Sequence, residues 1–186
     1  MSHPFDVTLK ELVAGYPDDF EGEFGLPTGA PVRVLNVDLS TITAATDVAL
    51  GFGEPLREIV DLNFQSGPDT TLPARLLLYN AALHLRYGVP IRSLVVLLRP
   101  KANVKRLSGK LGYTSGGSRV EFDYETIRLW RQPVEPFLQG GVGLLPLATL
   151  CELPKGEPEV DALRSIVRRI DERLCRELDQ RVARCG

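Results

Sequence analysis

The chain has 186 residues, 44% of them hydrophobic and 25% charged, with a formal net charge of −2. This is enough apolar material for one proper core, and it excludes a disordered chain. It offers no global cationic field, which counts against a pure nucleic-acid-binding module but leaves room for local phosphate contacts.

Met1 to Gly15 is polar and mixed, so no leader peptide is expected. Pro4 to Val13 predicts a first helix, because Leu9, Leu12 and Val13 fall at helical spacing behind Asp6. Gly15, Tyr16 and Pro17 stop it, and Asp18, Asp19, Glu21 and Glu23 form an acidic connector.

Val32 to Leu39 begins with apolar and polar residues in alternation and predicts a strand. After a Ser/Thr/Ala-rich stretch, Asp47 to Phe52 predicts a second, closed by Gly53 and Pro55. Arg57 to Gln65 predicts a third. Val60, Leu62 and Phe64 share one face, which is core; Ile59, Asp61, Asn63 and Gln65 share the other. Three polar groups in a row suit either a solvent-facing surface or a site.

Leu72 to Tyr87 predicts a strong helix, with Pro73 in its first turn and Gly88 and Pro90 after it. Ile91 to Leu98 is nearly continuous in apolar residues, the pattern of a strand buried on both faces. Leu111 to Thr114 and Arg119 to Tyr124 flank Gly116-Gly117 and predict a hairpin, which Thr126 to Arg131 would extend. Pro133 to Leu138 predicts a short helical turn, and Gly140 to Gly143 with Pro146 a loop. From Arg92 to Lys110 the chain carries Arg92, Arg99, Lys101, Lys105, Arg106 and Lys110 with no acid among them, either a solvated loop or a hold on a phosphate backbone.

Glu157 to Ala183 predicts one amphipathic helix, with Val160, Leu163, Ile166, Val167, Ile170, Leu174, Leu178 and Val182 at helical period. It either packs on the domain or pairs two copies of the chain as a homodimer through a coiled-coil-like seam. The expected division is a core over 1–150 and a helical extension over 151–186. Cys151, Cys175 and Cys185 are scattered and form no CxxC pair, which predicts reduced thiols in a cytoplasmic protein, and no apolar stretch is long enough for a membrane span.

Three stretches resemble the recombination-promoting nuclease and transposase family of PD-(D/E)XK type. FDVTLKELV is similar to that family's Asp-x-x-x-Lys helix, here Asp6 and Lys10. Asp47 followed by VDLNFQS stands where members show an acidic residue and then an apolar strand ending Glu-x-Gln. LPARLLLYNAALHLRYGVPIRSLVVLLRP is similar to the family's Arg-and-Tyr helix and buried strand, here Arg75 and Tyr79. GLLPLATL also resembles a segment that follows the core, so the match covers most of Pro4 to Leu150.

The resemblance implies an α/β fold: a restriction-endonuclease-like core with a central mixed sheet flanked by helices, ordered helix, three strands, helix, strand. The C-terminal helix lies outside it. It also implies a Mg²⁺-dependent DNA endonuclease in which carboxylates hold the ion and activated water attacks the phosphodiester. Carried over by position, Asp47 is the first carboxylate, Asn63 stands where Glu is expected, and Gln65 takes the Lys position, a variation members show. Lys10, Arg75 and Tyr79 would support the site or its phosphate.

Asn63 departs from the pattern. It is neutral and shorter than Glu, which should weaken metal binding. Asp61 lies on the same face as an alternative ligand, displaced by roughly 6–7 Å along the strand. The competing expectation keeps the fold and discards the chemistry, leaving a module that binds nucleic acid or a partner protein. An unrelated α/β enzyme finds no Walker loop, dinucleotide-binding glycine pattern, G-x-S-x-G elbow or zinc signature to stand on.

Overall fold

The computed structural model describes residues 4–20, 22–26, 29, 31–35, 48–105, 107–154, 156 and 158–185, with side chains described for all of these except 4–7 and 178–185. Helix α1 (Pro4–Gly15) leads through a 3₁₀ turn at Pro17–Phe20 into strands β1 (Val32–Leu35), β2 (Val48–Phe52) and β3 (Glu58–Gln65). Helix α2 (Leu72–Tyr87) and strand β4 (Ile91–Leu97) follow. The order is therefore helix, three strands, helix, strand.

The central sheet is mixed and runs β1-β2-β3-β4-β7, where β7 is Glu125–Arg128. β1, β2 and β3 are antiparallel neighbours; β3 pairs with β4 in parallel, as strands joined by a helical crossover must. One sheet face carries Val48, Leu50, Phe52, Val60, Leu62, Phe64, Leu94 and Val96, and packs against Leu9 and Val13 of α1. The other carries Ala49, Ile59, Val95 and Leu97, and packs against Leu72, Leu76 and Leu83 of α2. Burying each such side chain stabilises by about 1.5–3 kcal/mol.

Covering on both faces corrects one of the two alternatives for the polar row of β3. Asp61 and Asn63 do not face solvent, because α2 lies over them: Asp61 is 0% and Asn63 4% exposed, while Gln65 at the strand end is half-buried. Helix α2 keeps its predicted limits and ends at Gly88, whose φ of 68° lets its N–H reach His84 O. That left-handed conformation is one a side chain resists.

A second correction concerns the hairpin. β5 (Lys110–Ser115) and β6 (Ser118–Asp123) form a separate two-stranded sheet. The next segment does not extend it. β7 returns to the main sheet, with Leu94 opposite Glu125 and Leu97 opposite Arg128, and only Leu129–Arg131 departs from strand into a 3₁₀ turn. β4, buried from Ser93 to Leu97, needs a partner on that side, since an open apolar edge would leave its backbone groups unpaired.

Arg92 of β4 grips Glu125 of β7 bidentately, through Nε to Oε1 and through Nη2 to Oε2 at 2.6 Å, and its Nη1 donates to Gly25 O at 2.5 Å. The bond from Arg92, opposed by partial burial and aided by the guanidinium charge, holds the Glu125 carboxyl below its ordinary range. A lowered carboxyl pKa adds stability above the unfolded value and loses it as pH falls through the folded one. With Glu125 half exposed, the expected contribution is at most about 1 kcal/mol. Glu125→Gln should therefore flatten the acid limb of the stability profile below roughly pH 4.5; an unchanged limb in acid titrations of the melting temperature would refute this.

The C-terminal third brings a third correction. Glycines 140, 141 and 143 do not open a plain loop. After α3 (Val134–Gln139), Val142–Leu150 winds as a 3₁₀ segment whose Leu144, Leu145, Leu147 and Ala148 are buried in the core. The apolar residues of GLLPLATL drive this. α4 (Glu159–Cys185) lies against it through Ala162 and Ile166. Arg169 bonds both Glu135 oxygens at 2.6 Å, and Arg173 donates to Gln139 O at 3.2 Å, tying α4 to α3. No helix among the described residues is long and apolar enough to cross a membrane.

Candidate functional site

The α2-facing row of β3 is where the sequence concentrates unusual chemistry. Strand alternation puts Asp61, Asn63 and Gln65 on one face. Asn63 Nδ2 donates to Asp61 Oδ1 at 3.0 Å, inside the protein. Gln65, at the strand end, turns its Nε2 to Gly67 O at 2.7 Å. In the parallel register Asp61 stands beside Ser93 and Asn63 beside Val95.

Two residues that sequence reasoning did not single out lie beside this polar row. Asn80 of α2 donates from Nδ2 to Ser93 Oγ at 3.1 Å and to Ile91 O at 3.0 Å. Both carry a signal in hindsight: Asn is a weak helix former, and Ser interrupts an apolar strand. Buried polar groups require such partners, since an unmet one costs about 1–3 kcal/mol.

Asp47 lies outside the described residues. Tyr79 is buried (2% exposed) on the inner face of α2, with Leu76 and Leu83. Arg75, four residues earlier, is on the outside and pairs with Asp69 at 3.3 Å. Asp69 also accepts from Thr71 N at 2.8 Å and Thr71 Oγ1 at 2.7 Å. Partial burial raises the Asp69 carboxyl, but the Thr71 bonds and the Arg75 charge outweigh it and leave the pKa low. Lys10 belongs to α1, which packs on the opposite sheet face. The candidate residues thus divide between the two faces, and only Asp61 and Asn63 are joined directly to one another by a described bond.

Mg²⁺ takes oxygen ligands, with carboxylates to offset its charge. Among the described residues this row offers one carboxylate, and its Oδ1 already accepts from Asn63. No group of three or more His, Cys, Asp or Glu side chains among the described residues could hold a metal ion. The described residues therefore do not fit a Mg²⁺ site.

Outside the row, His84 bonds Val89 O at 2.8 Å beside the end of α2, and Trp130 packs partly buried against the cluster beneath that helix. Cys151 is buried, and burial, with the Glu23 charge, pushes its thiol up to about 12, far from a reactive thiolate.

The basic segment divides as well. Arg92 is engaged at the other end of β4, Lys110 pairs with Asp123 at 3.6 Å, and Arg106 lies outside the described residues. Arg99, Lys101 and Lys105 are exposed just beyond the end of β4. The register sets Gln65, Leu97 and Arg128 side by side there, and Arg128 reaches Asn103 Oδ1 at 3.1 Å. Cations thus gather at the sheet edge where β3, β4 and β7 end, the edge at which open α/β sheets commonly take ligands. No protein-family model, no curated protein and no solved structure matches the chain.

Proposed function

We propose that this chain is a nuclease-like scaffold of PD-(D/E)XK type in which metal-dependent hydrolysis is disabled at Asn63, and that it holds nucleic acid by the backbone. The observation that carries the reading is the buried hydrogen bond from Asn63 to Asp61. It lies where the resemblance calls for a second carboxylate. An amide there supplies no charge of its own, and its N–H occupies a carboxylate oxygen that a divalent ion would need.

Two observations support it further. The element order is the one the resemblance implies. Arg99, Lys101, Lys105 and Arg128 stand at the edge where β3 ends, and such cations suit phosphates despite the negative net charge. An active Mg²⁺ enzyme is the competing reading. It is favoured by the place of Asp47 in the sequence, directly before Val48, whose Cα partner Leu62 lies between Asp61 and Asn63.

The test pairs binding with cleavage. Wild-type protein is expected to bind labelled single-stranded and duplex DNA in anisotropy titrations, and to leave plasmid intact with Mg²⁺ or Mn²⁺. Lys101→Glu with Lys105→Glu should weaken binding and reduce the salt slope by about 2, roughly one for each lost phosphate contact. Cleavage by the wild type, lost in Asp47→Ala, would establish the competing enzyme. Absence of DNA binding would remove the nucleic-acid part of the reading.

A further inference from the structure

Helix α4 carries more apolar surface than its own domain covers. Its inward stripe is Ala162 and Ile166, both buried, with Ile170 packed against the same core. A second stripe runs about a quarter-turn away at a helix's 100° per residue. It comprises Val160 at 65% exposure, Leu163 half-buried, Val167 at 47% and Leu174 at 37%.

With Ile170, these positions fall at spacings of three, four, three and four, the a and d positions of a heptad repeat. A solvated face does not require that period. Singly exposed leucines are ordinary, but a continuous seam on a long helix is an association surface.

From this seam we infer that α4 pairs with α4 of a second copy of this chain, in antiparallel orientation. Charge fits a second copy of the same helix, and Asp171 favours one direction. With Val160, Val167 and Leu174 at a, the flanking e positions in the described region are Arg164 and Asp171. In an antiparallel pair, e faces e of the partner helix, so each Arg164 meets an Asp171 across the two-fold axis, twice per dimer. In a parallel pair, g faces e; Glu159 would meet Arg164, but Asp171 would face Ile166, which is buried on its own domain, and would find no opposite charge. The antiparallel register places Leu163 against Leu174 and Val167 against Ile170, and at its ends sets Val160 beside the stem of Glu177, whose carboxylate accepts from Arg173. Asp161, which accepts from Arg164 at 3.0 Å within the helix, is exposed and leaves that guanidinium free to share. This inference stands apart from the nuclease-scaffold reading.

Sedimentation equilibrium of the full chain tests it, with circular dichroism as the check on folding. The wild type should show twice the chain mass. Val167→Glu, at a site exposed within the single chain, should keep helix content and raise the dimer Kd at least about tenfold. Arg164→Asp alone and Asp171→Arg alone should each weaken the dimer, and the two together should restore it. A monomeric wild type, or a dimer indifferent to Val167→Glu, would overturn the pairing. A dimer weakened by Val167→Glu but not restored by the double charge exchange would overturn the antiparallel direction.

Discussion

Asn63→Glu is expected to cost about 3–5 kcal/mol of stability in metal-free buffer at pH 8, the range seen when a buried charge is left uncompensated. The cause is local. Asn63 is 4% exposed and donates to Asp61, itself fully buried. Glu replaces that donor with a second anion beside the first and adds a methylene to a filled layer. Two carboxylates at that separation cannot both ionise, so at least one pKa rises.

The sign of the pH dependence follows. A carboxyl raised in the folded state favours folding most at low pH, and its benefit disappears as pH rises through the folded value. The variant should therefore be closest to wild type in mild acid and furthest from it in alkali. Mn²⁺ or Mg²⁺ should return part of the loss by binding the folded form, whereas the wild type should gain nothing comparable. Thermal melts with and without Mn²⁺ decide the matter. Equal metal effects on both proteins would show that Asn63 is not what closes the site, and cleavage gained by the variant would identify the residue at which the chemistry was lost.

Gly141→Ala is expected to lower stability by about 2 kcal/mol, through loss of a charge-assisted hydrogen bond of about 1.5–3 kcal/mol. Asp19, in the 3₁₀ turn after α1, accepts from Gly143 N at 2.7 Å. A Cβ on Gly141 would fall on the Asp19 carboxylate. Aspartate is too short to move aside and keep its bond. Beneath it, Phe20 stacks on Phe24 with ring centroids 5.5 Å apart, and Phe24 meets Phe137 edge-on at 6.1 Å. The contact thus holds the N-terminal segment onto the 3₁₀ run of the C-terminal third.

Asp19→Ala should cost a similar amount, and the double variant little more than either single one. Additive losses in urea titrations would show that the two residues act independently. This contact also accounts for a glycine cluster that matches no phosphate-binding pattern: the space it leaves is taken by an aspartate of the same chain.

Much of the fold is legible along the chain because its signals are local. Leu72 to Tyr87 announces itself by a starting proline, an apolar stripe and a closing glycine, and the helix keeps those limits. Ile91 to Leu98 reads as doubly buried because it lacks alternation, and helices do cover both faces of that sheet. The misreadings all concern partners distant in sequence. Glu125 to Arg128 has the composition of a strand, but its neighbour is β4, whose Arg92 lies thirty-three residues before Glu125. Gly140 to Gly143 has the composition of a loop, but Asp19 and a run of leucines draw it into the core.

The candidate site divides in the same way. Sequence alone determined that Asp61, Asn63 and Gln65 share a strand face and that Asn63 is neutral, because alternation and side-chain chemistry are properties of the chain itself. Only the tertiary structure decided that α2 covers that face, that Asn63 turns its amide to Asp61, and that Asn80 bonds Ser93 beside them. Burial and hydrogen-bond partners come from segments brought together by packing, which no local pattern encodes.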